Sequence, residues 1–120
     1  MDVTEREGRR AKIRVAREEL VVMVFDLESG GAGPHLHRQH VDSFYGLEGE
    51  LELEVGDEVV RLHPGTFVAV PPGIVHSFDH SGPPVRFLNI HAPGMRFDEY
   101  MRRMDAGEEF DHAEYDSFPP

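Results

Sequence analysis

Two short stretches of this sequence carry side chains that can bind a metal ion. The first contains His35, His37 and Asp42, and the second ends at His76. Alternate residues of an extended chain face the same way, so His35 and His37 can present two imidazoles to one point. Neither stretch is a metal site alone, and a complete ligand set requires a fold that brings His76 to the other three residues.

Imidazole and carboxylate ligands restrict which metal such a site would hold. The chain has no cysteine, which excludes a disulfide framework, a thiolate nucleophile and a zinc-finger pattern. Neutral imidazoles with one carboxylate suit iron, manganese, nickel, copper or zinc, whereas calcium and magnesium prefer shells of oxygen. We therefore expect one divalent transition metal per chain.

Length and charge limit the other functions. A chain of 120 residues fits one domain. Its formal net charge of −11 disfavours binding to nucleic acid or to an anionic membrane, because both would repel it. No apolar run reaches membrane-spanning length, and the first residues lack the apolar core of a secretion signal. We expect a cytoplasmic protein whose partners are small molecules, metals or a second copy of itself.

The elements that must position these side chains are mainly short β-strands. Residues 20–27 form a mostly apolar run typical of a buried strand, which the following glycines interrupt. Residues 66–70, 75–78 and 85–92 are predicted to be further strands, separated by turns rich in proline and glycine. Residues 97–104 have apolar side chains at helical spacing and predict one short helix. The pattern indicates an all-β sandwich or barrel with one helix near its C-terminal end.

A β-hairpin is predicted around Gly56 and Asp57, which form a two-residue connection between two alternating segments. With this loop, apolar residues face each other on one side of the hairpin, and acidic residues face arginine or histidine on the other. The predicted facing pairs are Leu53 with Val60, Leu51 with Leu62, Glu52 with Arg61, and Glu50 with His63.

The chain divides into three segments. Residues 1–18 are expected to form an N-terminal arm or edge strand, residues 19–96 the barrel, and residues 97–120 the helix and an acidic tail. Basic residues are concentrated in the first segment and acidic residues in the last. The two ends can pair electrostatically or remain solvated tails, and exposed ion pairs contribute only about 0–1 kcal/mol each.

Two motifs of this sequence resemble those of the cupin superfamily. In the first, His35, His37, Asp42 and Gly49 match a pattern of His-x-His, an acid and a glycine, with aspartate where the family has glutamate. The residues that match the second motif are Gly65, Pro71, Gly73 and His76, with His80 where asparagine is usual. The resemblance covers residues 20–104 and implies a jelly-roll barrel, also called a double-stranded β-helix.

The resemblance also implies a site and a range of functions. The implied metal ligands are His35, His37, Asp42 and His76. Asp42 is one methylene shorter than glutamate, so it either binds directly or acts through a water molecule. Further side chains are candidates for the substrate pocket or for supporting the ligands: His40, Phe44, Phe78, His80 and His91.

These residues are compatible with three functional hypotheses. A metal with open coordination positions can bind a small oxygen-rich organic molecule and support catalysis; family resemblance implies dioxygenases and isomerases. The second hypothesis is a binding protein without turnover, and the third is a barrel that has lost its metal. Dimers are common among relatives and edge strands need covering, so we expect a homodimer.

Overall fold

The alternating and apolar segments form the strands of two antiparallel sheets. The structure, a computed structural model, describes residues 2–120. The strands within these residues are β1 (Val3–Arg6), β2 (Arg9–Ala16), β3 (Val21–Leu27), β4 (Gly30–His35), β5 (Val41–Glu48), β6 (Leu51–Val55), β7 (Glu58–Leu62), β8 (Phe67–Val70), β9 (His76–His80) and β10 (Val85–Ala92). One α-helix, α1 (Phe97–Asp105), and one 3-10 helix (His112–Tyr115) follow the strands.

The larger sheet has six strands in the order β1-β2-β3-β10-β5-β8. Strand β3 lies between β2 and β10, which explains why residues 20–27 are so apolar. Alternate side chains of β3 are almost fully buried, and the Phe25 ring stacks on Phe87 of β10 at 5.1 Å between centroids. Strand β2, in the segment expected to be an arm or edge strand, lies inside the sheet between β1 and β3.

The smaller sheet has four strands in the order β4-β9-β6-β7. The predicted hairpin is confirmed in its register, because Leu51 pairs with Leu62, Glu52 with Arg61 and Leu53 with Val60. The apolar face of this hairpin joins the same core as the apolar face of β3. The core therefore fills the space between the two sheets.

Strand β4 is formed by a glycine-rich segment that the sequence indicated as a break. It pairs with β9, and Gly31 lies so close to Phe78 that an added Cβ would stand 1.9 Å from the Phe78 carbonyl oxygen. Only glycine permits this approach. Strand β4 thus depends on close backbone packing where side-chain alternation is absent.

Helix α1 packs against β1 and β2 and buries Phe97, Tyr100 and Met101. At its end, Asp105 forms a buried ion pair with Arg9 of β2, so the basic beginning and acidic end of the chain do meet at this point. None of the helices in residues 2–120 has the length and apolar content required to cross a membrane. The predicted all-β jelly roll with one short helix is confirmed by these two antiparallel sheets.

Candidate metal centre

The four predicted ligands lie where the two sheets meet. His35 ends β4 and pairs with His76, the first residue of β9. Asp42 belongs to β5 of the other sheet, and His37 lies in the segment that connects β4 to β5. One ligand atom from each of the four side chains lies within 4.8 Å of the others. The fold thus brings together two stretches that are more than thirty residues apart in the sequence.

The carboxylate of Asp42 lies among these imidazoles. Its Oδ2 is 3.0 Å from His76 Nε2 and 3.4 Å from His37 Nε2. Asp42, His37 and His76 are each at most 3% exposed, whereas His35 is half-buried and lines a cavity. Asp42 is therefore close enough to share a cation with the histidines, and His35 is the most exposed of the four side chains.

Backbone carbonyl groups determine the tautomer of each histidine in this cluster. His35 Nδ1 is 2.7 Å from Gly33 O, His37 Nδ1 is 2.8 Å from Asp116 O, and His76 Nδ1 is 3.0 Å from Ile74 O. Because a carbonyl oxygen only accepts, each Nδ1 carries the hydrogen. The Nε2 atom of each neutral imidazole then presents a lone pair, and a neutral imidazole is the form of histidine that binds a metal.

The Nε2 lone pairs and the Asp42 carboxylate repel each other unless a proton or a metal cation lies between them. Burial by itself lowers the pKa of His76, but the hydrogen bond and charge of Asp42 outweigh it and raise that pKa. For Asp42, burial raises the pKa, and the neighbouring His91, His37 and His76 together lower it well below the usual range. Burial lowers the pKa of His35 to about 4, so its ring stays neutral. The donor set fits a divalent transition metal, which would replace a shared proton.

Asn89 of β10 fixes the second oxygen of Asp42. Its Nδ2 donates to Asp42 Oδ1 at 2.6 Å and to Ser43 O at 3.2 Å. Both partners are oxygen atoms that only accept hydrogen bonds. The Asn89 amide nitrogen must therefore face them, and exchanging its nitrogen and oxygen would place acceptors against acceptors. Asn89 therefore leaves Oδ2 of Asp42 facing the histidines and directs its own Oδ1 toward His91.

A chain of hydrogen-bonding groups extends from this amide into the interior, and we call it the histidine chain. His91 Nε2 lies 2.7 Å from Asn89 Oδ1, His91 Nδ1 lies 2.8 Å from His40 Nε2, and His40 Nδ1 lies 2.8 Å from Asp116 Oδ2. Burial lowers the pKa of both imidazoles, that of His91 to about 3. Two neutral rings supply two N–H groups for three contacts, so the contact between His91 Nδ1 and His40 Nε2 lacks a hydrogen while both rings are neutral.

The segment after α1 supports the ligands from outside. The Asp116 carboxylate accepts hydrogen bonds from the backbone N–H groups of Arg38 and Gln39 as well as contacting His40. Next to it, Leu36 and Phe118 exchange two backbone hydrogen bonds of 3.0 Å. The loop that holds His37 is thus attached to the last residues of the chain.

A cavity of about 500 Å³ opens onto the site. Its apolar wall includes Phe25, Phe44, Phe78, Phe87, Met101 and Met104, and its polar lining includes His35, Asp42, Asn89 and His91. Such a mixture of apolar walls and a few polar groups is typical of a small-molecule pocket.

The pocket candidates of the sequence fall into three groups. Phe44, Phe78 and His91 line the cavity. His40 is 1% exposed and contacts His91 and Asp116 through the histidine chain. His80 is absent from the cavity lining, and its Nε2 lies 2.8 Å from Pro83 O at a turn.

Sequence reasoning missed Asn89 and Asp116. Asn89 shares strand parity with Phe87 and His91 on β10, and this alternation was a signal that it faces inward. Asp116 follows a 3-10 helix in an acidic tail, and no local pattern connects it to a loop 77 residues earlier.

Comparison with known proteins agrees with this architecture. The family model described as Cupin domain matches residues 22–91. Over 70 residues the chain is 30% identical to quercetin 2,3-dioxygenase from Bacillus subtilis (strain 168), a stretch that covers 58% of this chain and 20% of that enzyme. The chain thus spans about a fifth of that relative's length.

Solved structures show the same fold. KdgF from Halomonas sp. has a TM-score of 0.69 and 24% identity, with 78% of this chain and 86% of that chain covered. A sugar phosphate isomerase of the cupin superfamily from Silicibacter pomeroyi has a TM-score of 0.63 and 23% identity, with 72% and 60% covered. Since the family model also covers more than half of the chain, this protein belongs to the cupin family.

Proposed function

We propose that this protein binds one divalent transition metal through His35, His37, His76 and Asp42 and uses that centre to bind a small oxygen-rich organic molecule. The observation that carries this proposal is the common orientation of the three imidazoles. Each Nδ1 is held by a backbone carbonyl, and an Nε2 lone pair is thereby left for a cation next to a buried carboxylate.

The surrounding residues suit the binding of an organic ligand. A bound metal supplies Lewis acidity, which polarises oxygen atoms of the ligand. Phe44, Phe78 and Phe87 provide an apolar wall for its carbon skeleton and exclude water. Asn89 holds Asp42 in a fixed orientation, and His91 in turn holds the Asn89 amide.

For the reaction class we propose a dioxygenase. Support comes from the 30% identity to the quercetin 2,3-dioxygenase of Bacillus subtilis over a segment of 70 residues. An isomerase is the second candidate, because a sugar phosphate isomerase of the cupin superfamily from Silicibacter pomeroyi shares this fold at a TM-score of 0.63. A third outcome, binding without turnover, would leave the metal and cavity in place without either reaction.

The metal assignment is tested by measuring metal content in two histidine variants. We expect near-stoichiometric metal in the wild-type protein and loss of most of it in His76→Ala, because one of three imidazole ligands is removed. The matched control is His63→Ala, since the His63 side chain is 55% exposed and lies on the outer face of the hairpin. Elemental analysis after dialysis provides the measurement, and full retention of metal by His76→Ala contradicts the proposed ligand set.

The reaction class is tested with the metal-loaded protein and flavonol or enol substrates. Oxygen consumption that depends on both substrate and His76 supports a dioxygenase. Proton exchange into solvent without oxygen uptake supports an isomerase instead. Tight binding with neither activity across a broad panel contradicts both catalytic assignments.

We also propose that the protein forms a homodimer through the edge strand β8. This strand ends the larger sheet, so one row of its backbone groups has no partner strand among residues 2–120. Phe67 on β8 is 57% exposed, although it is a large apolar side chain. A second copy that covers this edge would remove both features from water.

A further inference from the structure

Two groups of polar side chains in the cavity lining lie apart, and Asn89, Tyr100, His112 and Ser117 are further polar residues of that lining. His35, Asp42 and His91 form the metal end. Arg6 and Arg9, which we call the arginine end, also line the cavity. Arg6 Nη2 donates to Gly31 O at 3.0 Å, and Arg9 is paired with Asp105 at the end of α1.

Two independent elements give the distance between these ends. Gly31 and His35 are four residues apart on β4, which corresponds to about 13 Å at the rise of a strand. Phe97 stacks on His91 at 3.7 Å between ring centroids, and Asp105 follows eight residues later on α1, which corresponds to about 12 Å. A molecule that contacts both ends is therefore roughly 12 Å long.

The arginine end carries a net positive charge in an otherwise acidic protein. Asp105 neutralises Arg9, but among residues 2–120 no carboxylate forms an ion pair with Arg6. The formal charge at this end is thus about +1, which matches one carboxylate better than a doubly charged phosphate. The apolar side chains of the cavity lining suit a ligand with an apolar middle.

Hydrogen-bonding capacity at the arginine end is also unfilled. The Arg9 side chain is 5% exposed and that of Asp105 is 6% exposed, yet Arg9 Nε and Asp105 Oδ1 have no hydrogen-bond partner. Buried polar atoms in folded proteins are nearly always paired. The pair with Asp105 therefore leaves part of the donor capacity of Arg9 unused.

We propose that the ligand is a small carboxylate about 12 Å long, with two adjacent oxygens for the metal at one end and its carboxylate at Arg6 and Arg9. This inference rests on the proposed function, because it takes the metal centre as the other anchor. It adds an anionic group, and a place for that group, to a ligand otherwise described only as oxygen-rich.

The test uses a matched pair of catechols on the zinc-loaded protein. The probes are 5-(3,4-dihydroxyphenyl)pentanoic acid and its primary amide, which share a chelating end and differ in charge at the other. Zinc avoids oxidation of the catechol because it has no redox chemistry. Isothermal titration calorimetry under argon gives both dissociation constants. A short acid, 3,4-dihydroxybenzoic acid, serves as a control for a carboxylate that binds the metal but is too short to reach the arginines.

We expect the long acid to bind at least tenfold more tightly than its amide, since charge-assisted hydrogen bonds to arginine are stronger than neutral ones. In Arg6→Gln the ratio of the dissociation constants of amide and acid should fall below threefold, with the affinity for the amide unchanged. Arg14→Gln is the matched control, because Arg14 is exposed on β2 and lies outside the cavity lining. The short acid should show no such dependence on Arg6.

Several outcomes would overturn the inference. Equal affinities for acid and amide exclude an anionic ligand, and so does the absence of binding by either probe to zinc-loaded protein. If the ratio of the dissociation constants of amide and acid is unchanged in Arg6→Gln, the arginine end is not the carboxylate site. Failure of the wild-type protein to bind zinc would instead contradict the metal centre, so the two proposals fail in different measurements.

Discussion

Asp42 stands where glutamate is usual in the family motif, and its shorter side chain still reaches the histidine cluster. Its Oδ2 lies 3.0 Å from His76 Nε2, while Asn89 holds Oδ1 at 2.6 Å. The sequence left open whether this carboxylate falls short of a metal. In the structure Asp42 Oδ2 lies within 3.4 Å of both His37 Nε2 and His76 Nε2.

Substitution at Asp42 should weaken metal binding less than loss of an imidazole. Asp42→Asn keeps an oxygen donor of the same size, whereas His37→Ala removes a ligand and leaves a cavity. We expect His37→Ala to lose most of its metal and Asp42→Asn to retain a measurable fraction. The comparison is made by metal analysis after dialysis against a fixed chelator concentration. Equal losses would show that the negative charge of Asp42 is as necessary as an imidazole.

Much of the candidate site was predictable from residue types and spacing. His35, His37, Asp42 and His76 were identified because alternate positions share a face and because the two motifs match a known pattern. The supporting residues were harder to identify. Asn89 had only its strand parity as a signal, and Asp116 had none, because its partners depend on the path of the chain after α1.

At the level of elements, regular patterns were predictable and packing-dependent ones were not. The β6–β7 hairpin was correct to the residue pair, since alternation and a two-residue loop fix register together. Helix α1 was predicted within one residue at its end. Strand β4 was missed because its sequence, Gly30–His35, has no apolar alternation and depends on close contact with β9.

The segment around Asp116 should contribute to both stability and metal affinity. In Asp116→Asn one carboxylate oxygen becomes an amide donor that faces another donor, although asparagine tolerates the left-handed backbone at φ 58°. We expect stability to fall by about 1–3 kcal/mol and metal affinity to fall by roughly tenfold or more. Urea unfolding and chelator competition measure the two effects.

The control for Asp116 is Glu114→Gln, an exposed carboxylate of the same 3-10 helix with 54% side-chain exposure. This variant should leave both quantities unchanged. An Asp116→Asn protein with wild-type stability would show that its hydrogen bonds to Arg38, Gln39 and His40 contribute nothing net.

At the level of the whole molecule, the proposed dimer leads to a mass measurement. The chain has a mass of 13.6 kDa, and we expect light scattering to give twice that value. Phe67→Asp places a charge on the edge of β8 and should shift the protein to monomer. Val59→Asp, on edge strand β7 of the other sheet, should leave the dimer intact, because Val59 is exposed to a similar extent (61%) but lies outside the proposed interface. A monomeric wild-type protein would contradict the proposal.

The attachment of Phe118 to Leu36 has a practical consequence for work with the purified protein. Residues fused after Pro120 would emerge two positions from Phe118, which itself lines the cavity. A polyhistidine tag placed there would begin next to the cavity lining and add imidazoles that compete for the metal. Affinity handles therefore belong before Asp2, or should be cleaved, so that every metal atom counted is one bound by the protein's own side chains.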